Sequence, residues 1–221
     1  VVDAALANLR AAGSADGRII WARAAIASAA TAADVARLLA LIDGDAPIPG
    51  FEFDQEMRWE AAIKAAAHGL PGAAERLAAE QARDRSDRGQ RALIRAEAAQ
   101  PRADAKAEAW RRIHDQGYGS FHFTRAAMQG FLWPHQAELV APYVERFFAQ
   151  VRDVFETHDH PFARAYMLAL YPAHVADPVV LARSHELLAT LNGRLPTLSR
   201  QLAESADELD RAIRVRRFAE G

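Results

Sequence analysis

The sequence predicts an all-α fold of about ten to twelve helices. Two observations carry that expectation. Apolar residues recur at i, i+3/i+4 spacing along almost all of the 221 residues, and convincing strand alternation appears almost nowhere. Proline or glycine interrupts the pattern at intervals that leave helices of roughly 10–20 residues joined by short turns.

Taken in order, Ile19, Ile20, Ala24 and Ala27 make one face of a helix from Gly17 to Ala29. Thr31 is the N-cap of a second helix through Val35, Leu38, Leu39 and Ile42, and Asp43-Gly44-Asp45 with Pro47 and Pro49 ends it. Phe51-Glu52-Phe53 reads as a short extended stretch. Asp54 then opens a helix carrying Met57, Trp59, Ile63 and Ala66, which stops at Gly69. Pro71-Gly72 starts the next helix, through Leu77 to about Asp84. Ser86 caps another that holds Leu93 and Ile94 and ends at Gln100-Pro101.

Arg102 to His114 reads as a helix with Ala103, Ala107, Trp110 and Ile113 on one side. After Gly117 and Gly119 comes a very apolar helix, Phe121 to Leu132. A short helix follows Pro134, and a long one follows Pro142. The long one is the best amphipath in the chain, with Tyr143, Val144, Phe147, Phe148, Val151, Val154 and Phe155 in helical register. Pro161 starts a helix that stops at Tyr171-Pro172. Asp177-Pro178 caps and opens another, closed by Asn192-Gly193, and the last helix runs from Pro196 to about Phe218.

Helices therefore come in antiparallel pairs of about 30–45 residues, the unit size of an irregular HEAT/armadillo-like helical solenoid. No linker is long enough to divide the chain, so residues 1–221 are expected to form a single all-α domain. The absence of cysteine removes disulfides and thiolate metal sites and fits a cytoplasmic setting. A net charge of −2 and a pI near 6.5 argue against a nucleic-acid surface. The 51 alanines and the bias to arginine, with Lys64 and Lys106 the only lysines, look like the product of a GC-rich genome. Arginine abundance therefore says little about function. No signal peptide is visible, and Ile19 to Ile42 carries Arg23, Asp34 and Arg37, too many charges for a membrane span. The start at Val1-Val2-Asp3, without methionine, suggests an excised or processed piece of something longer.

Chemistry is sparse. None of the eight histidines supplies His-Glu-x-x-His. The nearest approach, His185-Glu186, meets Ala189 where a second zinc ligand would stand. His158 and His160 flank Asp159 at the end of the long helix, where capping explains them better than a metal. His122, between Phe121 and Phe123, reads as packed or capping. No Gly-x-Ser-x-Gly elbow and no phosphate-cradling glycine loop is present. Arg83, Arg85, Arg88, Arg91 and Arg95 are interleaved with acids, the pattern of a solvated, salt-bridged face, although a groove for carboxylates is the sharper alternative. Arg58 lies one turn from Asp54 and can pair with it or face a groove.

The order and spacing of several fragments resemble the C-terminal helical domain of bacterial aminopeptidase N, of the zinc-dependent gluzincin aminopeptidase family. These are Phe51-Glu-Phe-Asp54-Gln-Glu-Met-Arg58-Trp59, Ala82 to Arg91, Arg95 to Trp110, Ala127 to Phe131, Glu138 to Phe148 and Leu170-Tyr171-Pro172. The resemblance implies a domain without chemistry of its own, which covers the active-site cleft of the intact enzyme and limits access to it. In that family zinc and its glutamate base lie in an N-terminal catalytic domain, absent from this sequence. The implied partners are that catalytic domain of the same polypeptide and peptide substrates, with no nucleic acid or membrane. If the concave face contacts the distal end of the peptide, Arg58, Arg91, Arg95 and Lys106 are the cationic candidates. The alternative is an independent α-solenoid protein-interaction module.

Overall fold

The computed structural model describes residues 1–45, 47–173 and 177–220. Those residues form thirteen α-helices, one π-helical turn (Arg112–Gln116), one 3-10 turn (Pro134–Gln136) and no strand. The chain divides into two compact units, Val1–Pro101 and Arg102–Gly221.

The first unit holds α1 (Val2–Ala11), α2 (Ala15–Ser28), α3 (Ala32–Ile42), α4 (Gln55–Ala67), α5 (Ala73–Arg83) and α6 (Asp87–Ala99). Side-chain caps set the starts. The hydroxyls of Ser14 and Ser86 accept from Gly17 N–H and Gly89 N–H, and Asp54 accepts from Met57 N–H at 2.8 Å. Thr31 and Asp34 form a reciprocal capping box. Helix α1 escapes the sequence reading because Val1 offers no capping side chain and half of the helix is small or polar.

The face expected for α2 is corrected. Ile19 and Ile20 are 37% and 62% exposed, while Ala22, Ala25 and Ile26 are buried against α1 and its neighbours. A helix apolar on all sides has no dominant stripe, so packing selects the side whose small alanines allow close approach. Paired side chains show that α2, α4 and α6 run in the same direction. Lys64 near the end of α4 donates to Ala27 O and Ala29 O at the end of α2. On the other side Glu56 and Glu60 of α4 meet Arg88 and Arg95 of α6 in the same order. Helices α3 and α5 supply the returns.

The second unit holds α7 (Ala103–Arg111), α8 (Phe121–Phe131), α9 (Ala137–Val140), α10 (Pro142–Thr157), α11 (His160–Leu170), α12 (Pro178–Leu191) and α13 (Pro196–Glu220). Its core is aromatic. Trp110 lies 5.4 Å from Phe131 and 5.1 Å from Tyr143, and Tyr166 stacks on Phe147 at 5.7 Å and 10°. Fully burying side chains of this size contributes about 1.5–3 kcal/mol each, so this cluster anchors α7, α8, α10 and α11 together. The face predicted for α7 is half right. Trp110 and Ile113 are buried, but Ala103 and Ala107 are exposed and Lys106 takes the inward position.

Candidate functional site

Three of the four cationic candidates lie in the first unit, each beside a carboxylate of the chain itself. Arg58 projects from α4 toward α5, where its Nε donates to Glu80 Oε2 at 3.3 Å and its Nη1 to Phe53 O at 2.8 Å. Its partner is therefore Glu80 and not Asp54, because α5 brings a buried carboxylate closer than the helix's own cap does. Glu80 is 2% exposed and also accepts from Arg83 at 2.8 Å, so two guanidiniums neutralise one buried acid. Arg95 of α6 donates from Nη1 to Glu60 at 2.5 Å, while its Nε is buried without a hydrogen-bond partner. Arg91 pairs along its own helix with Asp87 at 2.9 Å and is the most exposed of the three.

Lys106 lies in the second unit and is 0% exposed. Its Nζ donates to Phe131 O at 2.7 Å and stands 5.4 Å from the Phe131 ring centre. Burial depresses its pKa to about 7. The ammonium is thus held inside the unit, joining α7 to the end of α8.

Beside Arg58, Trp59 reaches the C-cap of the same helix α5. Its Nε1–H donates to Asp84 Oδ2 at 3.0 Å, and Ser86 donates to Asp84 Oδ1 from both its hydroxyl and its backbone N–H. The Ser86 hydroxyl bond, ahead of all other causes, holds the Asp84 carboxyl below its ordinary value. Glu80 and Asp84 were not singled out in the sequence. Only their place near the end of α5, one turn apart, hints that both face α4.

A second polar pair sits in the aromatic core. His114 Nδ1 lies 2.7 Å from Trp110 O, so it carries the proton, and Nε2 accepts from the Tyr166 hydroxyl at 3.0 Å. Burial lowers the His114 pKa and raises that of Tyr166. The π-helical turn Arg112–Gln116 widens the end of α7 and aims this imidazole at α11.

Among the described residues the remaining histidines form no group of three with one another or with carboxylates. The His158 backbone ends α10 and its ring stacks on Phe162 at 4.1 Å and 14°. With His160, Phe155 and Leu195 to Leu198 it lines a pocket of about 170 Å³. His122 is exposed beside Phe121, 5.6 Å between ring centres. His185 and Glu186 find no second histidine one turn on, and His174 lies outside the described residues. Among the described residues no group of three or more histidine or carboxylate side chains is arranged to hold a metal ion. No helix among the described residues is long and apolar enough to cross a membrane.

A family model for the ERAP1-like C-terminal domain matches residues 3–211. The chain is also 37% identical over 213 residues to aminopeptidase N of Streptomyces lividans. That alignment covers 96% of this chain and 25% of the relative, so the chain spans about a quarter of the length of that protein.

Proposed function

This chain belongs to the ERAP1-like C-terminal domain family, and from that premise we propose that it caps the active-site cleft of a zinc aminopeptidase. The observation that carries the reading is the match along nearly the whole chain to a quarter of aminopeptidase N. In this reading residues 1–221 act as one C-terminal domain of a longer cytoplasmic polypeptide, whose catalytic domain cleaves N-terminal residues from peptides. Zinc and its activated water belong to that catalytic domain, and this chain limits access and meets the distal end of the peptide.

The cations Arg58, Arg91, Arg95 and Lys106 have graded parts in this reading. Arg91 is the one whose guanidinium reaches furthest into solvent, so it touches the peptide. Arg58 and Arg95 hold α5 and α6 onto α4, and Lys106 acts from inside the second unit by fixing the end of α8.

Two measurements test the proposal. The reading frame upstream of Val1 should encode His-Glu-x-x-His, and its absence would leave an independent α-solenoid interaction module as the better account. The intact polypeptide should distinguish peptides by length, and removal of residues 1–221 should abolish that distinction while small aminoacyl-arylamides are still cleaved. The isolated chain should show no such hydrolysis. One tightly held zinc per chain together with arylamide hydrolysis would overturn the reading.

A further inference from the structure

Helix α13 runs for 25 residues, and its own unit uses one side of it. Leu198, Leu202, Ala206, Leu209 and Ile213 form the buried stripe, and α12 packs along the helix. The stripe ends at Ile213, and every side chain from Arg214 to Ala219 is exposed. The opposite side carries a second stripe: Arg200, Glu204, Asp207, Arg211, Arg214 and Phe218, all exposed. Its members are separated alternately by four and three residues, which is the repeat of a seam between two helices. Phe218, at one end of it, is 89% exposed.

The order of signs along this stripe is not what a lone helix requires. The helix dipole favours acids only in the first turn, yet α13 has none there, and Glu204 and Asp207 stand two to three turns in. Pairing along the helix accounts for part of the pattern, since Asp207 meets Arg211 and Asp210 meets Arg214, each at 3.1 Å. The two arginine side chains nevertheless remain 59% and 63% exposed. A guanidinium has five N–H donors, so each has donors left for a second carboxylate.

We propose that this face of α13 pairs antiparallel with the same face of a second copy of the chain, the two-fold axis lying level with Leu209. Asp207 then stands opposite Arg211 of the second copy, Glu204 opposite its Arg214, and Arg200 opposite its Phe218, each contact occurring twice by symmetry. Every layer is complementary, with ion pairs in the middle and a guanidinium over an aromatic ring at each end. The register is specified as well. A slip of seven residues sets Glu204 against Asp207 or Arg211 against Arg214, and a parallel pair sets each charge against itself. An anionic lipid or nucleic-acid surface fits this face less well, because it would meet Glu204 and Asp207 together with the arginines. The seam is about 28 Å long, small beside a standard interface, so the dimer is a weak one with a dissociation constant on the order of 0.1 mM.

The test is sedimentation velocity on the 221-residue chain from about 10 μM to about 0.5 mM, a range that brackets that constant. The sedimentation coefficient should rise with concentration, and added salt should suppress the rise. Glu204→Arg and Arg214→Glu should each weaken self-association about tenfold with unchanged circular dichroism, because each sets like charges opposite one another twice. An equimolar mixture of the two variants should associate as strongly as the parent, since each reversed charge then faces the other across the pair. Damage confined to one helix would not be repaired by mixing. A parent that stays monomeric throughout, variants that associate like the parent, or a mixture no stronger than either variant would each overturn the proposal. So would a monomer that binds phosphatidylserine–phosphatidylcholine vesicles through this face, which would assign it to a lipid surface. The pairing does not rest on the cleft-capping reading, and no catalytic partner enters the measurement.

Discussion

Replacing Gly89 with alanine adds one methyl at the most crowded point of the first unit. A Cβ there would stand 2.3 Å from Asp84 O, 2.7 Å from Asp84 Cγ and 2.8 Å from Asp84 Oδ2, where ordinary contact needs more than 3.4 Å. The neighbour that must yield is a backbone carbonyl and a buried carboxylate, 6% exposed and tied to Trp59 and Ser86. Relief requires a shift of about 1 Å in the first turn of α6, which overpacking studies put at about 1–3 kcal/mol. Loss of the Trp59–Asp84 hydrogen bond adds about 1.5–3 kcal/mol. Alanine returns about 1 kcal/mol as the better helix former. The net expectation is a loss of about 1.5–5 kcal/mol, or roughly 3–20 °C in melting temperature for a chain of this size. Urea unfolding followed by circular dichroism and tryptophan emission measures it, with Trp59 as a local reporter. Gly13→Ala, where the methyl meets open space, should stay within about 0.5 kcal/mol of the parent. A Gly89→Ala chain as stable as the parent would refute this account of the α5–α6 junction.

The other expectations concern buried polar groups and one backbone conformation. Lys106 has a folded pKa of about 7 against 10.5 when unfolded. The penalty is complete below pH 7, and stability should rise between pH 7 and 9 by up to about 1.4 kcal/mol per pH unit. Lys106→Met should flatten most of that rise in unfolding free energy, and an unchanged slope would contradict the assignment. Trp59→Phe keeps an aromatic ring but removes the donor to Asp84 and part of the buried indole, and should cost at least about 1.5–3 kcal/mol by chemical denaturation; a neutral result would contradict the role given to this hydrogen bond. Leu195 holds a left-handed φ of 52°, a conformation that costs a branched L-residue about 1–2 kcal/mol. Leu195→Val should therefore melt below Leu195→Gly, and the reverse order would disprove the strain.

Much of the fold was legible because helix ends are local events. Thr31, Asp54, Ser86 and Asp177 could be named as caps because a short polar side chain competes for N–H groups only three positions away. The stripe of α10 could be named because its aromatic residues leave one face for the core. Faces were misread where the residues are small. In α2 and α7 alanine fits inside and outside alike, so spacing puts Ile20 and Ala107 on inner faces, whereas the structure exposes both and turns Lys106 inward.

The sequence by itself determined the all-α class and the order of the helices after α1, since periodicity, caps and breakers depend on neighbours within a few residues, while the family came from the resemblance of its ordered fragments. It also established that His-Glu-x-x-His is missing from this chain. Only the tertiary structure decided which charges are spent. Glu80 on Arg58 and Arg83, Asp84 on Trp59, and Lys106 on the Phe131 carbonyl are encounters across 22 to 25 residues of sequence, apart from the Arg83 pair. Whether an arginine is free depends on which acid the packing of other helices brings within reach, and Coulomb attraction in water fades over the distances that local sequence cannot specify.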